Sequence, residues 1–315
     1  MKHNNRSGMK VKYLIITGFL LTISLGLRTP DSDPENQINS IPPLPLDIPA
    51  DSVKFLRDLL DTDLQAILQR EVNKNAKWKR LVDIKKMAVG VVDLSDPYDV
   101  KYARLNGNVM MYAASLPKIG ILLAVEDAIE KGELEDTPEI RNKMRLMISK
   151  SSNTASTELM DLVGFEKIES VLTDPAYDLY DEDYGGGLWV GKRYAKTGAR
   201  HPDPLMGISH GATVSQVCRY YYLMAYGKLV SRKRSEEMLS YMDNPELNHK
   251  FINTLRRVAP EAQFYRKSGT WKTYHSDSVL VWGPERRYIL VALLDDADGE
   301  RILRELVLTV DNMLK

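Results

Sequence analysis

The chain has 315 residues, 43% of them hydrophobic, and carries 43 basic and 43 acidic side chains. This length and apolar content suit one large domain or two small ones with a substantial core, and the balanced charge argues against nucleic acid or an anionic surface as partner. The one cysteine, Cys218, excludes an intrachain disulfide; it lies in a helical pattern and is expected to be a buried structural thiol.

In chain order, residues 1–27 read as a signal peptide or N-terminal anchor. Lys2, Arg6, Lys10 and Lys12 precede an apolar run from Tyr13 to Leu27 that is short for a membrane span. Ser24 and Gly26 supply small residues where a signal peptidase would read, and no cysteine follows for lipid attachment. The rest is expected to be exported, to a periplasm or the cell exterior, with membrane contact only through this segment. Residues 28–50 carry Pro30, Pro34, Pro42, Pro43, Pro45 and Pro49, the composition of an extended, poorly packed spacer. Residues 51–315 are left as the folded domain.

Asp51 or Ser52 is predicted to cap a helix through Val53, Leu56, Leu59, Leu60, Leu64, Ile67 and Leu68. Met87 to Leu94 and Val100 to Leu105 read as strands, with turns at Asp96-Pro97 and Asn106-Gly107-Asn108. Ser115 opens a helix through Ile119, Leu122, Leu123, Val125 and Ile129 that stops near Lys131-Gly132. Residues 133–250 read as helices with loops: Arg141 to Lys150, Thr154 to Val163, Thr213 to Gly227 and Ser235 to Met242. Within them, Asp174 to Gly211 is a long irregular segment of the length that usually serves function. Ser278 to Trp282 and Tyr288 to Leu294 return to strand about the turn Gly283-Pro284-Glu285. A last helix covers about Gly299 to Leu314. This order predicts an α/β fold of the α+β kind: one antiparallel sheet flanked by helices, an all-helical lobe from the insert, and a cleft between them.

Three motifs follow one another: Ser115-Leu116-Pro117-Lys118, Ser151-Ser152-Asn153 and Lys267-Ser268-Gly269-Thr270. A serine hydroxyl needs a base held against it, and residues three apart share a helix face. Each motif alone is weak. A second Ser-x-x-Lys stands at Ser7-Gly8-Met9-Lys10 in the targeting segment, and Ser and Asn favour helix caps. A second Lys-Thr-Gly stands at Lys196-Thr197-Gly198, but Ala199-Arg200-His201-Pro202 after it is no strand. In order and in company, the three resemble the set of the serine β-lactamases and penicillin-binding proteins, class A in particular. The likeness covers about residues 51–315 and includes Met111-Tyr112-Ala113-Ala114, Thr154-Ala155 and Gly207 to Tyr241.

The resemblance implies a β-lactamase-like two-lobed fold and a serine hydrolase. Ser115 would be the nucleophile, Lys118 the base and Ser151 the proton relay. Asn153, Lys267, Ser268 and Thr270 would bind substrate, and the N–H groups of Ser115 and Thr270 would form an oxyanion hole. Substrates would be β-lactams or D-alanyl-type cell-wall peptides, handled by a monomer without cofactor or metal. Two departures stand out. Ser152 occupies a position where the family usually has aspartate, and the region between Ser115 and Ser151 is shorter than in class A enzymes. More consequential, the class A Glu-x-x-Leu-Asn motif that drives deacylation is missing; Tyr184 to Gly191 stands in its place. Asp181, Glu182 and Asp183 just upstream are either a substitute or a solvated acidic loop.

The histidines His201, His210, His249 and His275 are scattered, no Gly-x-Ser-x-Gly elbow is present, and no metal-ligand spacing occurs. Tyr220-Tyr221-Tyr222 is expected to pack in the core. Alternatives within the enzyme class are a D-Ala carboxypeptidase, an esterase, or glutaminase-like chemistry. Outside it stands an exported binding protein that keeps the fold without turnover.

Overall fold

A computed structural model describes residues 41–314; the expected targeting segment at residues 1–27 and the first part of the proline-rich stretch lie outside the described residues. The rest of the spacer is not loose. Ile48 is buried, Leu44 and Leu46 pack beside it, and the Trp282 indole N–H donates to the Pro42 carbonyl at 2.7 Å. Apolar side chains between the prolines drive this, so the packed domain begins before Asp51.

The predicted helix over 51–68 is also corrected. Residues 50–59 form two short 3₁₀ turns, and α1 starts only at Thr62–Asn73, where the Asp61 carboxylate caps the Leu64 amide at 2.7 Å. Leu60 bridges to Tyr102 and the Asp61 N–H donates to the Tyr102 carbonyl. Tertiary pairing thus overrides a helical spacing of leucines. A helix that the sequence reading lacks, α2 (Ala76–Asp83), follows under an Asn75 cap.

Strands β1 (Met87–Asp93) and β2 (Lys101–Leu105) arise as the alternating and continuous apolar runs predict. A two-residue strand, β3 (Met111–Tyr112), leads to helix α3 (Lys118–Glu130). That helix is buried on all sides, which suits its nearly unbroken apolar sequence. Helices α4 (Pro138–Ser149) and α5 (Asn153–Leu172) pack on it; α5 breaks at Gly164, whose φ of 79° is left-handed. The long segment then makes three short strands, β4 (Tyr180–Asp181), β5 (Gly186–Gly187) and β6 (Trp189–Val190), and ends in β7 (His210–Ala212). Helices α6 (Val214–Ala225), α7 (Arg232–Met242) and α8 (Phe251–Val258) follow. Strands β8 (Gln263–Trp271), β9 (Tyr274–Trp282) and β10 (Arg287–Asp295) and helix α9 (Gly299–Met313) close the chain.

The main sheet is antiparallel throughout, in the order β2-β1-β10-β9-β8, so the first and last segments meet at its centre and β8 is an edge. Two cores result. One lies under α1, α2, α8 and α9 on one face of the sheet; the other joins the opposite face to the helices α3 to α7. Cys218 and the three tyrosines Tyr220 to Tyr222 are buried in the second core, as expected. The α/β, two-lobed architecture is therefore the one the sequence implied. Among the described residues, no helix is long and apolar enough to cross a membrane.

The sheet also holds a buried charge pair close to the motifs. Asp277 accepts from the Arg266 guanidinium at 2.7 and 2.9 Å and from the Phe251 amide at 3.0 Å, so it fixes the start of α8. Both side chains are out of solvent. An Asp277→Ala variant leaves Arg266 charged, buried and uncompensated. It is expected to lose about 3–5 kcal/mol of stability, seen as a lower denaturant midpoint with an unchanged slope.

Candidate active site

The nucleophile loop is held from three directions. The Ala113 amide donates to the His210 carbonyl of β7 at 2.8 Å, extending the β3–β7 pairing. The Ala113 carbonyl accepts from the Ser276 hydroxyl of β9 at 2.8 Å. The Ala114 carbonyl accepts from the Tyr194 hydroxyl at 3.1 Å. Ala114 itself has φ 52°, a left-handed conformation that a residue with a Cβ rarely adopts. Ser115 follows in the turn that leads into α3. The regular helix starts at Lys118 with Pro117 as its cap residue, three residues later than the sequence suggests.

Lys118 is fully buried, and its Nζ donates to the Ser151 carbonyl at 2.7 Å and to Asn153 Oδ1 at 2.8 Å, with the Ser151 hydroxyl at 3.5 Å. It sits 4.4 Å from the centre of the Tyr194 ring. Burial, which penalises the charged ammonium, lowers its pKa to about 7. Ser151 is left-handed too, at φ 58°, which turns both its carbonyl and its hydroxyl toward the lysines. Strain of this kind collects where function over-determines the backbone. Ser152 caps α5 by accepting from the Ala155 amide at 3.2 Å, a local task that a serine performs in place of aspartate.

Lys267 is 1% exposed and donates to the Ser151 hydroxyl at 3.0 Å and to the Ser268 carbonyl at 2.8 Å. Burial first, then the Lys118 charge, holds its pKa well below that of a free lysine. It lies beneath Ser151 and does not line the cleft. The Ser268 side chain is buried and does not line the cleft either. Thr270 does, and it is exposed. The structure thus brings Ser115, Lys118, Ser151, Asn153, Lys267 and Thr270 into one site, with Ser268 supplying a backbone acceptor.

The rival segment Lys196-Thr197-Gly198 lies outside any strand, as its neighbours imply. A model of the beta-lactamase enzyme family matches residues 135–310, more than half of the chain. The chain belongs to that family. The matched span contains the second and third motifs, while the Ser115 motif precedes it. No curated protein matches the chain in sequence.

Solved structures extend the agreement in fold to most of the chain. A β-lactamase from Sphaerobacter thermophilus superposes with a TM-score of 0.60 at 16% identity, over 79% of this chain and 97% of its own. PBP-A superposes at 0.57 with 17% identity, over 87% of this chain and 98% of its own. A variant of PBP-A, solved as an acyl-enzyme complex with penicillin G, matches at 0.57 with 18% identity, over 81% and 97%.

Three groups at this beta-lactamase-family site carry no sequence signal. Lys250 is the first. It is fully buried, left-handed at φ 53°, and donates to Thr270 Oγ1 at 2.8 Å, the Gly269 carbonyl at 2.6 Å and the Ser276 carbonyl at 3.0 Å. Burial lowers its pKa to about 8. It is a third lysine behind β8 and orients the Thr270 hydroxyl. Tyr194 is the second: its ring covers Lys118 and packs tilted against His210, the third, with ring centroids 4.3 Å apart. The His210 Nε2–H donates to the Lys192 carbonyl, which leaves Nδ1 to accept from the Ser209 hydroxyl. Burial pushes the His210 pKa down to about 4, so the ring is a neutral wall of the cleft.

The cleft that opens on Ser115 has a volume of about 660 Å³ and runs past Asn153, Tyr194, Lys196, His210, Thr270 and Trp271. Among the described residues, no aspartate or glutamate lines it. Glu182 and Asp183 are exposed on a 3₁₀ turn, and the Asp181 carboxylate caps the Asp183 amide. The acidic cluster is therefore a solvated loop away from Ser115.

Proposed function

We propose that this protein is an exported serine hydrolase of the penicillin-binding kind, which forms a Ser115 acyl-enzyme from β-lactams or D-alanyl-type amides and releases it slowly. The observation that carries the reading is that, among the described residues, no carboxylate lines the Ser115 cleft, together with the Tyr194 ring over Lys118. Neutral Lys118 takes the proton as Ser115 Oγ attacks the carbonyl carbon. The N–H groups of Ser115 and Thr270 stabilise the resulting oxyanion, a contribution of about 3–4 kcal/mol per donor in other enzymes. Lys267 donates to the Ser151 oxygen, which leaves the Ser151 proton free to pass to the departing nitrogen. Lys118 replaces that proton. The C–N bond breaks and a Ser115 ester remains. Asn153 and Thr270 hold the substrate amide and carboxylate. Hydrolysis of the ester then needs a base for water, and the cleft offers no carboxylate for that role. The basic and apolar pattern of residues 1–27 supports export.

Intact-protein mass spectrometry after mixing with benzylpenicillin tests this. One equivalent of the whole penicillin should add, map to the Ser115 peptide, and persist for minutes or longer. Loss of the adduct within seconds would make the protein an efficient β-lactamase with another deacylation base. Absence of any adduct would remove the acylation reading.

A further inference from the structure

The Ser115 cleft has a neighbour on the far side of Trp271. A second cavity of about 510 Å³ shares Tyr112, Ser209 and Trp271 with it. It continues between the β8–β9 hairpin, the loop at 206–208 and the Lys85-Lys86 corner before β1. Its floor is apolar, from Met110, Met111, Ile208 and Tyr274, and its rim exposes Met206 at 60% and Trp271 at 56%. Methionines adapt to varied apolar shapes, and an exposed tryptophan offers a large rigid face to a ligand.

Charge distinguishes this trough from the rest of the molecule. The chain as a whole is neutral. Among the described residues, the two adjoining cavities are lined by Lys85, Lys86, Lys192, Arg193, Lys196 and Arg200, against one carboxylate, Asp295. Asp295 is already engaged by Lys86 at 2.9 Å and by the Thr273 hydroxyl at 2.6 Å, and Arg193 pairs with Asp161 at 2.6 Å. Among the described residues, Lys85, Lys192, Lys196 and Arg200 have no ion-pair partner. Like charges gathered without counter-charges raise the local concentration of anions and favour an anionic ligand. Direction comes from the sheet. β8 is an edge strand, and Trp271 follows Thr270 along it. An extended acyl group laid against that edge from the Ser115 carbonyl site passes Trp271 into the second cavity.

We propose that this second cavity is an acyl-side subsite for a substrate whose acyl group is long, apolar in its middle and anionic at its far end. The inference rests on Ser115 acylation for its place in the reaction, while the subsite itself rests on the cavity and its charges. Lys85 and Arg200 receive the distal anion, and Trp271 with the methionines covers the apolar stretch.

Three N-acyl-D-alanyl thioglycolate esters test it: acetyl, hexanoyl, and adipoyl, which is the six-carbon chain with a terminal carboxylate. Acylation followed by mass spectrometry should be fastest for adipoyl, about tenfold over hexanoyl, with acetyl slowest. A Lys85→Gln/Arg200→Gln variant should lose the adipoyl advantage and keep the acetyl rate. In parallel, free acetyl-, hexanoyl- and adipoyl-D-alanine are titrated into a Ser115→Ala variant with tryptophan fluorescence as readout, and affinity should follow the same rank. Equal rates and equal affinities across the series overturn the subsite. So does an adipoyl preference that survives the double substitution. If no ester and no penicillin acylates Ser115 but the adipoyl preference in binding remains, the acylation reading fails and the subsite stands.

Discussion

Acylation by benzylpenicillin should fall about a thousandfold in a Lys118→Met variant, within the range that a positioned general base supplies, and should vanish in Ser115→Ala. Methionine keeps the length and apolar stem of lysine, so the packing around Asn153 and Tyr194 is retained while the amine is lost. The wild-type rate should also rise with pH through about 7 and level off above it, because the deprotonated Lys118 amine is the active form. The folding equilibrium provides an independent check on the same group. Its pKa is about 7 when folded and about 10.4 when unfolded. Between those values the unfolded chain binds more protons, so this lysine's contribution to stability rises with pH across that window. The Met variant lacks the term and should be more stable than wild type at neutral and acid pH. A large loss of rate with a gain in stability cannot come from misfolding. A variant that acylates within tenfold of wild type, or a wild-type profile flat through pH 7, would remove Lys118 as the base.

Legibility followed the range of the forces involved. β1, β10 and α3 are continuous apolar runs, so their burial is written locally, and the cleft follows from the order of sheet and helical segments. The first helix misled because Leu56, Leu59 and Leu60 keep helical spacing while the chain there is recruited to pair with Tyr102. α2 has little local signature because Lys77, Lys79 and Arg80 dilute its apolar face to Trp78 and Leu81. Ser115, Lys118, Ser151, Asn153 and Lys267 were legible through their spacing. Lys250 and Tyr194 were not, since nothing in the local sequence tells that Lys250 meets Thr270 or that a tyrosine in a long loop covers Lys118. Those contacts come from tertiary closure, where a buried lysine is tolerated only because three oxygens receive it.

One carbon added at position 269 tests that closure most directly. Gly269 lies in the regular ladder of β8, opposite Ser276, so it is there for space rather than for an unusual backbone angle. A Cβ at this point would sit 2.5 Å from the Ser115 amide nitrogen and closer still to the Ala113 carbonyl oxygen. Both are backbone atoms of the nucleophile loop, and that loop is pinned by Ser276, His210 and Tyr194. It cannot swing aside as a side chain can. Gly269→Ala must therefore push β8 and the loop apart and carry the Thr270 amide away from Ser115. A displacement near 1 Å in a positioned group costs about a hundredfold in rate, and that is the loss expected in acylation by benzylpenicillin. Gly120→Ala is the control: the nearest atoms to its Cβ would be those of the Leu172 side chain, the first methyl at 3.3 Å, in the same buried α3 that carries Lys118. It should acylate within a few-fold of wild type. If Gly269→Ala kept the wild-type rate with the fold intact, the β8 edge would not be the second wall of the acylation site, and the oxyanion donor would have to lie elsewhere than at Thr270.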